Sequence, residues 1–251
     1  MVPRALTPVG VVLVDKPAGP SSFAPVAALR RRTGARTGHA GTLDPFATGL
    51  LVLLSGAATR LAPCFVGLDK RYVTDVDLTA TTSTGDPEGE VIARQEPPAE
   101  RDLAAKLEPL RGEIELPIPA ASAVKIGGER AYRLARRGVS VEMPLRRSLV
   151  RALDVIAYNG DATATGSVRL GLQVSSGTYV RSIAQALGGH CTSLRRTAVG
   201  PFAVQEAAPV EEARLLPVSA ALDRLPENAH ARVPPEVLAG VLALAAAAEP
   251  A

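Results

Sequence analysis

Two hydrophobic patterns recur along the chain, unbroken apolar runs of about five residues and stretches in which apolar and polar positions alternate, and each predicts a different element. Gly10-Val11-Val12-Leu13-Val14 is continuous and short, a buried strand closed by the turn Lys16-Pro17-Ala18-Gly19-Pro20. Ser21 and Ser22 then offer an N-cap for a helix reaching about Thr33, with Val26 and Leu29 on one face. A polar, Gly-rich loop over residues 36–49 feeds the apolar strand 50–54. Residues 70–82 alternate as a strand through Val73, Val76 and Leu78, and a turn at 84–89 leads into a second strand at 90–94. The pattern next predicts a helix over 101–110, a Pro-broken extended stretch to Ile126 and a short helix over 129–137. Strands at 148–157 and 167–174, a helix over 178–187 and a last strand at 194–204 follow. Beyond Val204 only two helices are predicted, near 207–215 and 235–248. Strands and helices mix without a regular βαβ repeat, so the expected fold class is α+β with a mixed, largely antiparallel sheet flanked by helices.

Composition adds a partner class. The net charge is only +3, but residues 1–200 hold 25 Lys/Arg against 18 Asp/Glu, whereas residues 201–251 hold 3 against 7. A basic body with an acidic end points to a polyanion, because Lys and Arg displace counterions condensed on phosphates. Only four of the cations are Lys, so compositional bias toward Arg is the competing explanation. Cys64 and Cys191 lack the spacing of a zinc site or disulfide framework and read as small buried hydrophobes in a reducing compartment. Residues 1–10 lack the basic-then-apolar order of a secretory signal, and the apolar run 237–248 is too short to span a bilayer. The expected location is the cytoplasm, with no membrane contact.

The chemistry concentrates in Gly38-His39-Ala40-Gly41-Thr42-Leu43-Asp44-Pro45. An Asp before Pro in such a loop is commonly a turn former, and a lone loop His is commonly solvated. The cations Arg30, Arg31 and Arg32 suit the C-terminal end of a helix dipole, and a phosphate contact is compatible with that. No metal constellation, Ser-His-Asp or Cys-His set, or Walker-type loop can be assembled nearby. Three further segments change the balance. Lys70-Arg71-Tyr72 puts a phenol at a strand start, Gly177-Thr178-Tyr179-Val180-Arg181 puts a Tyr and an Arg at a helix start, and Leu194-Arg195-Arg196 follows.

In that order, with Val14-Asp15-Lys16-Pro17, Thr84-Gly85-Asp86 and Ser122-Ala123-Val124-Lys125, the chain resembles the bacterial tRNA pseudouridine-55 synthases, the TruB family, over residues 9–204. The resemblance implies a pseudouridine-synthase-like fold and isomerisation of the uridine in the tRNA TΨC loop, with no cofactor because substrate and product are isomers. It gives Asp44 the part of catalytic carboxylate, Arg181 that of its guanidinium partner and Tyr72 that of the Tyr beside the target base. Tyr179 and Leu194 would line the uracil pocket, and His39 would fill the space of the flipped base. Arg30, Arg31, Arg32, Arg36, Arg195 and Arg196 are the candidate phosphate contacts. Lys16 and Asp86 read as structural. No metal and no obligatory protein partner are expected, and the protein is expected to be a monomer.

Two departures stand out. The family's Gln and paired Pro before Ser-Ala-x-Lys are replaced by Leu116-Pro117-Ile118-Pro119-Ala120-Ala121. Only 47 residues of this sequence follow Val204, acidic and rich in Ala and Pro, and a complete PUA-type RNA-binding domain, usual in the family, is not expected among them. The expected organisation is a catalytic domain over 1–204 and a short tail over 205–251. These departures keep open the same chemistry on another RNA or a free uridine nucleotide; separately, the family resemblance leaves a non-catalytic RNA-binding or RNA-folding role as a further alternative.

Overall fold

The structure, a computed structural model, describes residues 8–137, 139, 141–160 and 166–248, so the reading of residues 1–7 lies outside it. The elements in chain order begin with β1 (Gly10–Lys16), α1 (Phe23–Thr33), β2 (Thr37–His39), β3 (Thr48–Ser55), α2 (Ala62–Val66) and β4 (Lys70–Asp77). Next come β5 (Ala80–Thr82), β6 (Val91–Arg94), α3 (Glu100–Leu107), β7 (Gly112–Pro117), β8 (Lys125–Ile126), β9 (Glu129–Arg130) and α4 (Ala131–Arg136). They continue with β10 (Leu145–Asn159), β11 (Ser167–Val174), α5 (Val180–Ala186), β12 (His190–Val199) and β13 (Phe202–Ala203), and end with β14 (Leu215–Leu216), α6 (Val218–Leu222), α7 (Glu227–His230) and α8 (Pro235–Ala246). The chain divides into two compact units, residues 1–71 with 195–251, and residues 72–194.

In the first unit the unbroken apolar runs become the central strands. Leu50, Leu51, Val52, Leu53 and Leu54 of β3 are all inaccessible, which explains why the run does not alternate: both of its faces are covered. Each such side chain contributes about 1.5–3 kcal/mol of transfer free energy, gross of chain entropy. β1 pairs antiparallel with β3, placing Lys16 opposite Gly49. β12 joins β3 in parallel, placing Arg196 opposite the same Gly49. The end of β1, the start of β3 and an interior stretch of β12 thus meet where β3 emerges from the loop before it.

The segment after Val204 belongs to this unit. Val218, Ala221, Leu222, Ala229, Val233, Val241 and Ala245 share a core with Val11, Leu13, Val52, Phe65 and Phe202. The predicted helix near 207–215 is not there. Ala208 instead lies along β1, accepting a hydrogen bond from the Asp15 N–H (3.0 Å), and β14 pairs with β1 at Val11 and Val12. The open edge of β1 outcompetes the helix propensity of the alanines, and Pro209 and Pro217 bracket the stretch. The helix predicted near 235–248 forms as α8.

The second unit carries the strand order β4–β11–β10–β7. β10 pairs antiparallel with β11 through Leu153↔Leu172 and with β7 through Ser148↔Ile114. The strand predicted as continuous from 70 to 82 breaks at Leu78 and Thr79, where Asp77 Oδ1 accepts both the Thr79 N–H (2.7 Å) and its hydroxyl (2.6 Å). That Asx-type turn hands the chain to β5. The mixed, mostly antiparallel α+β architecture is as expected, and among the described residues no helix is long and apolar enough to cross a membrane.

Candidate active site

Asp44 sits in the first unit on the loop of residues 40–47, half-buried while its neighbour Leu43 is 3 % exposed. Such a loop contributes few regular ladder bonds, so its backbone groups must find partners elsewhere. The Ala40 N–H donates to Val52 O (2.9 Å). The Gly41 and Thr42 carbonyls accept Arg196 Nη2 and Nη1, both at 3.1 Å, while Arg196 Nε donates to Leu50 O at 2.7 Å. Pro45 O accepts the Gly19 N–H (2.8 Å) and Lys16 Nζ (3.2 Å). Asp44 O accepts the Ala47 N–H at 3.2 Å. The loop is a braced segment presenting one carboxylate.

Gly49, where the loop enters β3, has φ +102°, and a Cβ there would lie 2.3 Å from Arg196 O. Only glycine supplies that backbone shape and that proximity. Arg196 can therefore approach closely enough to reach the loop from behind.

Two buried lysines and a half-buried histidine lie with Arg196 around this segment. Lys16 is inaccessible, and its ammonium also donates to Pro17 O and Pro20 O, both at 2.8 Å. Burial lowers its pKa to about 8; the Asp44 carboxylate pulls it up and Arg196 pushes it further down. Lys70 donates to Val66 O and Leu68 O, both at 2.6 Å, and burial with Arg196 lowers it too to about 8. His39, half-buried on β2, is likewise held below its ordinary value by burial and by Arg196, which keeps its ring neutral. Its Nδ1 is enclosed without a hydrogen-bond partner. Positive charge near a carboxylate favours the ionised form, the form that can meet an electron-poor carbon.

The second unit holds the other predicted site residues. Tyr72 is half-buried near the start of β4, Tyr179 is half-buried at the N-cap position of α5, and Leu194 on β12 is 6 % exposed. Arg181 on α5 is buried. Its Nη1 donates to Asp86 Oδ2 (3.1 Å) and Thr84 O (2.8 Å), and its Nη2 donates to Ala121 O (3.0 Å). Asp86 is fixed in turn, accepting the Thr84 hydroxyl (2.5 Å) and the Glu88 N–H (3.1 Å) on Oδ1. Leu116, from the stretch where the family pattern fails, lines one crevice with Thr178, Tyr179 and Ser182.

The family model for the N-terminal domain of TruB pseudouridylate synthases matches residues 30–180. The chain belongs to the TruB family. It is 44% identical over 210 residues to tRNA pseudouridine synthase B of Leifsonia xyli subsp. xyli, covering 79% of this chain and 69% of that one. It is 44% identical over 217 residues to tRNA pseudouridine synthase B of Thermobifida fusca, covering 81% and 73%. Among solved structures, a Cbf5–Nop10–Gar1 complex matches with TM-score 0.58 and 28% identity over 77% of this chain. An archaeal box H/ACA sRNP Nop10–Cbf5 complex matches in fold with TM-score 0.57 and 24% identity over 83%. This TruB-family chain spans about half the length of those structures, 50% and 53%.

Within this family member the six arginines nominated for phosphate contact separate into two groups. Arg30, Arg31 and Arg36 are exposed and, among the described residues, their guanidiniums donate to none of the protein's own carbonyls, whereas that of Arg32, also exposed, does. The other three hold the protein to itself. Arg32 donates to the carbonyls of Val210, Glu211 and Ala213, and Arg195 forms a fork with Asp15 (2.7 and 3.1 Å) while staying 42% exposed. Arg196 is 1 % exposed and spends its guanidinium on three carbonyls, so in this structure it braces the Asp44 loop. Strand geometry carried the signal, since adjacent residues of β12 face opposite sides and at most one of 195 and 196 could point outward. The Ser22 hydroxyl was also missed as a site element. It was read as a helix cap, yet it makes no capping bond, and it accepts the Leu43 N–H (2.7 Å) and donates to Leu43 O (2.9 Å). Among the described residues no group of three or more His, Cys, Asp or Glu could hold a metal ion.

Proposed function

We propose that this chain isomerises uridine to pseudouridine in tRNA, at the uridine of the TΨC loop, position 55, with Asp44 as the catalytic carboxylate. The observation that carries this reading is the Asp44 loop itself: a half-exposed carboxylate on a segment whose backbone is fixed by buried side chains, in a chain of the TruB family. In the reaction the bond from ribose C1′ to uracil N1 breaks and a bond from C1′ to C5 forms. A proton leaves C5 and one ends on N1, so no electron acceptor is required. The target base is stacked, and flipping it out costs a few kcal/mol. Arg181, Tyr72, Tyr179, Leu194 and His39 take the parts that family resemblance assigns them, and exposed Arg30, Arg31 and Arg36 hold phosphates without reading sequence. The replaced stretch at 116–121 supports a second reading, the same isomerisation on another RNA or on a free uridine nucleotide. We place the protein in the cytoplasm, as a monomer needing no protein partner.

Incubation with an unmodified tRNA transcript, followed by mapping of pseudouridine, tests the reading. Product is expected in the TΨC loop, and Asp44→Asn is expected to bind RNA and make none. Turnover of a minimal TΨC stem-loop but not of uridine monophosphate separates the two substrate readings. Full turnover by Asp44→Asn would refute the assignment of the carboxylate.

A further inference from the structure

Ser22 is 1 % exposed, and its hydroxyl is committed to a single residue. It accepts the Leu43 N–H at 2.7 Å and donates to Leu43 O at 2.9 Å. One side-chain oxygen thus does what a neighbouring strand would do, closing both hydrogen-bonding groups of the residue immediately before Asp44. It sits two residues past the Lys16-to-Pro20 turn, whose Gly19 N–H and Lys16 ammonium hold Pro45, the residue immediately after Asp44. Asp44 is therefore gripped on both sides by one contiguous segment, residues 16–22. Ser22 holds the N-terminal side.

We propose that Ser22 is a positioning residue for the Asp44 carboxylate, acting through the Leu43 peptide groups rather than on the RNA. This rests on Asp44 as the catalytic carboxylate. The physical ground is that Leu43 is buried, so its N–H and carbonyl have no ready substitute in solvent. With the hydroxyl removed, both groups must be satisfied by moving the loop. A carboxylate attacking or stabilising a sugar carbon tolerates little displacement, and an ångström of misplacement costs about 100-fold in rate. RNA affinity, set by phosphate contacts elsewhere, should stay.

The test compares Ser22→Ala, Ser22→Thr and Ser55→Ala in single-turnover isomerisation of a tRNA transcript, with the RNA dissociation constant and the unfolding midpoint measured in parallel. Ser55 is a control for the general cost of a lost buried hydroxyl. It is inaccessible in the same unit and donates to Pro8 O at 2.9 Å, away from the loop. Ser22→Ala is expected to lose about 10- to 100-fold in the single-turnover rate constant with the dissociation constant within about twofold. Ser22→Thr, which keeps the hydroxyl, should recover most of the rate. Ser55→Ala should lose stability but not rate. Should Ser22→Ala fail to fold, Ser22→Cys keeps the side chain's shape with a larger sulfur that weakens both bonds, and an intermediate rate is expected. A folded Ser22→Ala or Ser22→Cys with wild-type rate overturns the proposal, as does an equal rate loss in Ser55→Ala. Asp44→Asn in the same assay separates the two failures: if it turns over normally the reading of Asp44 has failed, and if it is inactive while Ser22→Ala is fully active only the positioning role has.

Discussion

Replacing Arg196 by Met removes a buried guanidinium and strands three carbonyls. The bond to Leu50 O is buried, whereas those to Gly41 O and Thr42 O are partly accessible. An orphaned buried acceptor costs about 1–3 kcal/mol, so Leu50 counts in full and the two loop carbonyls at about half, because water can reach them. That gives roughly 2–6 kcal/mol. Against it stands the relief of repulsion, since Arg196 lies near the Lys16 and Lys70 ammonium groups and lowers the pKa of each. Taking this relief as about 1 kcal/mol, the expected net loss is near 3 kcal/mol, or roughly 10 °C in unfolding midpoint for a chain this size. Urea unfolding and scanning calorimetry measure it. The salt dependence of tRNA binding gives the second readout. A phosphate contact contributes about 0.7–0.9 to the slope of log affinity against log salt concentration, so Arg30→Ala and Arg31→Ala should each flatten the slope by that amount. Arg196→Met should leave it unchanged. A variant within about 1 kcal/mol of wild-type stability with a flattened salt slope would show that Arg196 faces the RNA and that the bracing argument is mistaken.

Three more outcomes are expected. Lys16 titrates at about 8 in the folded protein against 10.5 ordinarily, so between those values the unfolded chain binds more protons and stability rises with pH. The urea midpoint of the wild type should therefore climb from about pH 7.5 to about pH 9.5, and that of Lys16→Met should climb less, Lys70 supplying the remainder. Gly49→Ala forces a methyl to 2.3 Å from a backbone oxygen at φ +102° and should cost about 2–5 kcal/mol by calorimetry. Asp86→Ala takes a carboxylate from the buried Arg181 guanidinium and should cost about 3 kcal/mol in urea unfolding, with Asp86→Glu recovering little because the turn fixes the carboxylate's reach.

Much of the scaffold was legible because its strands declare themselves. The strand at 167–174 has the bounds predicted, and the apolar run at 50–54 lies within β3 as a strand, its two covered faces explaining the lack of alternation. β2 was invisible: Thr37-Gly38-His39 has no apolar alternation, and it is a strand only because the edge of β3 is available to it. The segment near 208 was misread for a similar reason, since what it pairs with lies some two hundred residues earlier in β1. The Asp44 loop was legible as a place for chemistry from its glycines and its Asp. Its braces were legible only in part: alternation along a strand lets at most one of Arg195 and Arg196 point outward, but it does not say which of the two meets carbonyls. Ser22 shows the same limit. A Ser before a helix has two equally good uses for its hydroxyl, and only the approach of Leu43 decides between them.

The first unit is assembled from the two ends of the chain, and Arg196 follows Thr42, whose carbonyl it holds, by 154 residues. On a translating ribosome adding about 5–20 residues per second, that separation is roughly 10–30 s of waiting. Throughout it Asp44 has been synthesised while its brace has not yet been polymerised. Residues 72–194, which come between, can settle first. Residues 195 onward then close the core around β1 and β3, so a nascent chain stalled before Arg196 would carry every atom of the carboxylate and none of the guanidinium that holds its loop in place.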